Sequence, residues 1–104
     1  MQKIEILGNL GNDVAIRNGV EGKQFNSFQV AVNTFMGQTQ WYSVLMPRRE
    51  KMEPHLTKGT KVYLRGDLSV SIDTLKDGRQ VLNMDIFAKE IELCGTRESA
   101  PDVQ

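Results

Sequence analysis

The stretch from Lys58 to Ile72, KGTKVYLRGDLSVSI, constrains the fold because its apolar residues occupy every second position. This period is typical of a β-strand with one face in a core and the other in solvent. Gly66 interrupts the apolar row once. A glycine at an inward position of a long strand marks a bulge or sharp bend, where a side chain would collide with the opposite wall. The stretch therefore predicts a strand that coils around a small closed barrel.

The same alternation predicts four further strands, at 4–10, 23–34, 41–46 and from Gln80 onward. Turn signals that contain glycine separate them, at Asn18-Gly19, Glu21-Gly22 and Asp77-Gly78. In the last strand the apolar residues predicted to face inward occupy even-numbered positions up to Ala88 and odd-numbered positions from Ile91 onward. This shift predicts a bulge near Lys89.

One helix is predicted, in the segment PRREKMEPHLTKG at 47–59. Pro47 suits a first helical position, Gly59 suits a stop, and Pro54 limits the helix to a short or broken one. Three strands, a short helix and two more strands predict an all-β fold, namely a five-stranded Greek-key OB-fold barrel with the helix between strands 3 and 4. We expect one domain over 1–95 and a disordered tail over 96–104, where periodicity is lost.

Charge and composition narrow the class of function. The chain carries 13 Lys and Arg against 13 Asp and Glu, so no overall basic field attracts nucleic acid. The window 48–65, however, is locally basic. A single Cys94 and a single His55 predict neither a disulfide nor a metal site, and no cofactor is expected. Without a leader or a membrane-length apolar stretch, we expect a cytoplasmic protein with no membrane partner.

Four segments together resemble the bacterial single-stranded DNA-binding proteins: ILGNLGND near the start, QWYSV in the third strand, LTKGTKVYLRGDL and the KDGR hairpin. The resemblance spans about residues 2–95, and its most specific part is KG-x-x-VY-x-x-G-x-L. It implies an OB-fold that assembles into dimers or tetramers, with single-stranded DNA wrapped over the outer faces. Bases would stack on aromatic rings, and basic side chains would contact phosphates.

The resemblance carries over residue by residue only in part. Trp41 stands at a stacking tryptophan position of the family, and Phe35 lies near another, in a shortened loop. Arg49 and Lys58 match basic positions. Four positions depart from the family pattern, because aromatic residues are replaced at Pro47 and Asp73 and arginines at Ser69 and Ser71. The chain ends at ESAPDVQ instead of the family's acidic tip, so recruitment of replication proteins by that tip is not expected.

Single-strand binding requires flat rings for the bases and cations for the phosphates. Trp41 is the leading stacking candidate, with burial in a subunit interface as the alternative. Phe35 is a second ring, and an ordinary solvated surface is the alternative for each cation. The candidate site consists of Trp41, Phe35, Arg48, Arg49, Lys58, Lys61 and Arg65.

These residues lead to two hypotheses. The first is sequence-independent binding and protection of single-stranded DNA in replication, recombination or repair, by a homo-oligomer. The second is an OB-fold protein-interaction or primosome-like accessory module with weak or no nucleic-acid binding, favoured by the zero net charge and the lost stacking positions. An enzyme is not expected, because no nucleophile arrangement or phosphate-binding glycine loop is present in the sequence.

Overall fold

The computed structural model describes residues 1–94, which form an all-β fold of six strands and two single turns of 3₁₀ helix. The strands are β1 (Gln2–Leu10), β2 (Ala15–Asn18), β3 (Gln24–Asn33), β4 (Thr39–Pro47), β5 (Lys61–Thr74) and β6 (Gln80–Leu93). The 3₁₀ helices are Val20–Gly22 and Glu53–His55. The all-β prediction is confirmed, and the predicted domain boundary and tail at 95–104 lie outside the described residues.

The strands form one sheet in the order β1-β5-β6-β4-β3-β2. All neighbours are antiparallel except β4 and β6, which pair in parallel over three residue pairs. β1 also pairs with β3, but only through Asn9–Ala31 and Leu10–Val30. The sheet therefore curls back on itself, and the contact that joins its two sides is short.

The inward faces of the strands build one apolar core. As the alternation predicts, β4 buries Tyr42, Val44 and Met46, while its intervening residues point outward. The same alternation of inward-facing and outward-facing residues holds in β1, β3 and the first half of β5. The complete buried apolar set is Ile6, Leu10, Phe28, Val30, Tyr42, Val44, Met46, Leu56, Val62, Leu64, Ile86, Ala88 and Ile91.

The predicted bulge near Lys89 is confirmed. Arg65 pairs with Glu90 and Gly66 pairs with Ala88, so Lys89 is an extra residue in β6. A Cβ atom on Gly66 would overlap the carbonyl oxygen of Phe87 and lie 2.8 Å from the Ala88 Cα. Gly66 is thus required because the neighbouring strand approaches closely, whereas the sequence predicted a collision with the opposite wall.

Beyond the bulge, the paired β5 and β6 extend past the core as a two-stranded arm, formed by residues 69–85. Val70, Ile72 and Leu82 were predicted to point into the core, but they are exposed. The reason is that β1 accompanies β5 only as far as Leu68, and β4 accompanies β6 only from Asp85 onward. No strand of the described chain covers the apolar row of the arm.

Two further predictions need correction. Six strands are present instead of five, because β2 pairs with β3 in a hairpin. All four residues of β2 are exposed, so no apolar alternation revealed this strand. The predicted helix is confirmed only in part, as the single turn Glu53–His55. Pro47 is the last residue of β4 and does not begin a helix.

Candidate nucleic-acid interface

Trp41 lies on the outward side of β4, opposite Ala31 of β3, and 51% of its surface is exposed. We call this outward side of β3, β4 and β6 the β4 face. The indole ring rests against Gly11, since a Cβ there would overlap the ring and lie 2.9 Å from its Cη2 atom. Gly11 is held in place by its own N–H, which donates to the Gln29 carbonyl at 2.8 Å. One part of the ring is therefore supported by backbone, and the rest is open to solvent.

Phe35 lies at the tip of the turn between β3 and β4. The turn is closed by a hydrogen bond of 2.8 Å from the Thr34 N–H to the Gln38 carbonyl, and Gly37 adopts a positive φ of 80°. Phe35 is 97% exposed. Its ring shares the β3–β4 hairpin with Trp41 and is free to contact a ligand.

Arg48 is held within a polar cluster at the end of β4. Its Nε donates to Glu53 Oε2 at 2.7 Å, and its Nη1 donates to Gln24 Oε1 at 2.8 Å. The same Glu53 oxygen accepts a hydrogen bond of 2.7 Å from the fully buried Asn26. The hydrogen bond from Arg48, followed by that from Asn26, lowers the pKa of the Glu53 carboxyl below its ordinary value. The Arg48 guanidinium is thus largely occupied in joining β3, β4 and the following turn.

Arg49 and Lys58 are exposed and form no ion pair within residues 1–94. Their backbones are fixed: the Arg49 N–H donates to Asn26 Oδ1, and the Lys58 N–H donates to Asp13 Oδ1, each at 2.8 Å. Asp13 follows Gly11 by two residues, so the loop after β1 connects Lys58 to the support of the Trp41 ring. Both side chains are available to contact phosphates.

Lys61 and Arg65 point outward from β5, on the side that also carries Tyr63. We call this side, with the adjacent outward residues of β1, the β5 face. Arg65 forms an ion pair with Glu90 of β6, and its neighbour in β1 is Glu5. An exposed ion pair contributes little stability, but it leaves less charge for a phosphate. Lys61 and Arg65 both lie on β5, which does not pair with β4. They are therefore separated from the strand that carries Trp41.

Sequence reasoning missed two rings on the β4 face, Phe25 of β3 and Phe87 of β6. Phe25 pairs with Pro47, and Phe87 pairs with Leu45, so both rings point to the same side as Trp41. The alternation of residues along the strands could have identified them, because each phenylalanine occupies an outward-facing position in a strand whose inward-facing positions are apolar.

Between Trp41 and the two phenylalanines along β4 lies a cavity of about 580 Å³, whose lining residues include Arg17, Gln29, Ser43 and Asp85. Polar groups of both signs meet here, whereas no group of three or more His, Cys, Asp or Glu within residues 1–94 is arranged to hold a metal ion. The β4 face therefore presents aromatic rings near both ends of β4 and hydrogen-bonding groups between them, which suits an extended polar ligand with flat substituents.

The sequence matches the model of the single-strand binding protein family over residues 1–94. The chain belongs to this family. Membership confirms the resemblance from the sequence, and it agrees with the expectation that the chain is not an enzyme.

Known relatives support the same assignment. The chain is similar to the single-stranded DNA-binding protein of Neisseria meningitidis serogroup A. The two are 32% identical over an alignment of 107 positions, which covers 93% of this chain and 62% of the relative. The single-stranded DNA-binding protein of Xanthomonas campestris is 27% identical, with the same two coverages. The chain thus spans about three fifths of the length of these relatives.

Solved structures show the fold. The crystal structure of a small single-stranded DNA-binding protein from Streptomyces coelicolor superposes with a TM-score of 0.72 and 24% identity, and the match covers 88% of this chain and 92% of that chain. A mitochondrial single-stranded DNA-binding protein from S. cerevisiae gives a TM-score of 0.70 with 21% identity, covering 89% and 94%. Within residues 1–94, no helix has the length and apolarity needed to cross a bilayer.

Proposed function

We propose that this protein binds single-stranded DNA without sequence preference, stacks bases on Trp41, and thereby protects exposed strands in replication, recombination or repair. One observation carries the proposal: the Trp41 indole is half exposed, is supported by Gly11, and lies on the outward row of β4. Contact with Gly11 restricts the ring, so a base can stack on it at a smaller entropic cost than on a ring surrounded by solvent.

The energetics of stacking are sufficient for useful affinity. A stacked base contributes roughly 1–3 kcal/mol by alanine substitution, and it does so for every base because each has a flat face. Arg49 and Lys58 supply cations for the phosphates, and Phe35 adds an exposed ring at the hairpin tip. The relatives' names, which state single-stranded DNA binding, support the same ligand.

The fold and assembly that we propose follow the family resemblance. The pairings β1–β5–β6–β4–β3–β1 support an OB-fold barrel, to which β2 adds an edge. We propose that the barrels assemble into dimers or tetramers, and that the protein acts in the cytoplasm, where its DNA is found. Native mass spectrometry with and without oligo-dT measures the assembly, and a monomer under both conditions would contradict it.

Trp41 is the only tryptophan of the chain, so its fluorescence reports directly on the proposed site. Titration with oligo-dT in low salt is expected to quench this fluorescence, and high salt is expected to weaken binding because phosphate contacts release counterions. Absence of quenching and of binding at micromolar protein in low salt would overturn the proposal.

A second candidate function is a protein-interaction module with weak or no nucleic-acid binding. The observation in its favour is the arm at 69–85, which exposes Val70, Ile72 and Leu82, since such apolar surfaces often mark interaction sites. Recovery of a tight protein partner, together with no measurable affinity for oligo-dT, would favour this function over the first.

A further inference from the structure

Phe25 and Phe87 form an aromatic pair at the end of the β4 face opposite to Trp41. Their ring centroids are 6.4 Å apart and their planes meet at 67°, an edge-to-face arrangement. Such a pair covers only one face of one ring, so further flat groups can stack on it. Phe87 is 38% exposed although it is surrounded by strands. The pair is therefore a surface feature of the sheet and does not belong to its core.

The aromatic pair lines a cavity of about 720 Å³. This size lies within the range of about 300–1,000 Å³ that is usual for small-molecule sites. Pro47 adds a third apolar ring to the wall, and the polar lining consists of Lys23, Gln24, Arg48 and Glu50. The one carboxylate, Glu50, is paired with Arg48 at 3.6 Å. Lys23 forms no ion pair within residues 1–94, so its ammonium group is available beside the rings. A flat apolar group that carries a negative charge nearby fits this combination.

The cavity lies on the same outward row of β4 as Trp41, because Pro47 belongs to its lining. The outward residues of β4 follow one another as Trp41, Ser43, Leu45 and Pro47. At about 3.3 Å per residue, the distance along the strand from Trp41 to Pro47 is about 20 Å. The cavity at Ser43 lies between the two aromatic positions. A single extended ligand along β4 would thus contact both.

We propose that the Phe25–Phe87 pair is a second base-stacking position, occupied by a nucleobase of the strand that also stacks on Trp41. This inference rests on the proposed function, because the occupant is the same DNA strand. Lys23 contacts a phosphate of that nucleotide, while Arg48 remains held by Glu53. The alternative occupant, an apolar segment of a protein, has no need for Lys23 or for continuity with Trp41.

The first experiment compares Phe87→Ala and Phe87→Tyr with the matched control Leu93→Ala. Leu93 lies in the same strand and is also 38% exposed, but it is paired with Val62 at the other end of β6. Binding of labelled oligo-dT is measured by anisotropy at fixed salt, with thermal melting as the test of folding. We expect Phe87→Ala to weaken binding roughly 5- to 160-fold, the range for one lost stack. Phe87→Tyr and Leu93→Ala should bind like the parent.

The second experiment moves the fluorescent reporter. In the double variant Trp41→Phe, Phe87→Trp, both positions keep an aromatic ring, and the single indole reports on the second position alone. Oligo-dT is expected to quench it. This variant also decides the outcome if Phe87→Ala fails to fold.

The outcomes separate this inference from the proposed function. If the parent does not bind oligo-dT, the proposed function fails and the second stacking position fails with it. If the parent binds but Phe87→Ala binds equally well, or the moved indole is not quenched by saturating oligo-dT, only the second position is overturned. Equal losses in Phe87→Tyr and Phe87→Ala would also overturn it, because stacking requires the ring and tolerates a hydroxyl.

Discussion

The β4 face and the β5 face are outward surfaces of the same sheet, but they present different chemistry. The β4 face carries Trp41, supported by Gly11, and the Phe25–Phe87 pair. The β5 face carries Lys61 and Arg65 of β5 and Lys3 of β1; Arg65 is paired with Glu90 and Lys3 with Asp67. Cations are easy to count along a sequence, yet their value to a ligand depends on whether carboxylates already hold them. The comparison teaches that free rings, more than cation density, distinguish the candidate binding surface.

The largest expected effect separates the two faces by their rings. Trp41→Ala should weaken oligo-dT binding by roughly 1–3 kcal/mol, because a supported stacking surface is lost. Tyr63→Ala, which removes the ring of the β5 face, should leave the affinity unchanged. Anisotropy titrations at one salt concentration measure both variants. The distinction between the faces would fail if Tyr63→Ala cost as much as Trp41→Ala in variants that melt normally.

A smaller effect is expected from Gly11→Ala. The added Cβ would overlap the indole, so the ring has to move away from its support. Gly11 does not have a positive φ, which means that the contact with Trp41, and not backbone strain, is the cost of this substitution. We expect an affinity loss on the order of a few-fold, less than that of Trp41→Ala. A shifted Trp41 emission maximum would verify the displacement, and unchanged emission and affinity would show that Gly11 does not position the ring.

The adjacent Arg48 and Arg49 provide a matched pair for the phosphate contacts. Arg49→Ala should reduce the slope of log affinity against log salt by about 0.7, the value for one phosphate contact to a single strand. Arg48→Ala should leave the slope nearly unchanged but lower the melting temperature, because it removes the partner of Glu53. Titrations at several salt concentrations and thermal melts measure the two effects. The opposite assignment, with Arg48 controlling the slope, would place the DNA path across the polar cluster.

The smallest effect concerns pH. The pKa of Glu53 is lowered in the folded state, first by the hydrogen bond from Arg48 and then by that from Asn26. A lowered folded pKa means that the contribution to stability is present above the ordinary carboxyl pKa and is lost as the pH falls through the folded value. We therefore expect the melting temperature to decrease in acid, and less steeply for Glu53→Gln. Asp67 contributes in the same direction, because Lys89 and Lys3 lower its pKa. Parallel acid profiles for the parent and Glu53→Gln would refute this role.

Strand positions, inward parity and the bulge at Lys89 were predictable, because each leaves a local period in the sequence. β2 was not, since all four of its residues are exposed and leave no apolar alternation in the sequence. The exposure of the arm was not predictable either, because its apolar residues continue the alternation of the core. They are exposed only because β1 and β4 end before they reach the arm. Sequence periodicity reports which residues share a side, but not which strands cover that side.

The candidate site was predictable to a similar extent. The outward phase of Trp41 followed from alternation, whereas its support by Gly11 depends on a loop that is distant in sequence. The attachment of Arg48 to Glu53 and Gln24, together with the hydrogen bond from Asn26 to the same Glu53 oxygen, likewise joins three segments. Phe25 and Phe87 come together only through β4, which pairs with both of their strands.

The most direct test of DNA binding on the β4 face is ultraviolet crosslinking of the full chain to oligo-dT, followed by mass spectrometry of the crosslinked peptides. Crosslinks are expected at Trp41 and at Phe25 or Phe87, and they should disappear with excess unlabelled single strand. Crosslinks confined to Tyr63, with none on the β4 face, would contradict the assignment of the binding surface.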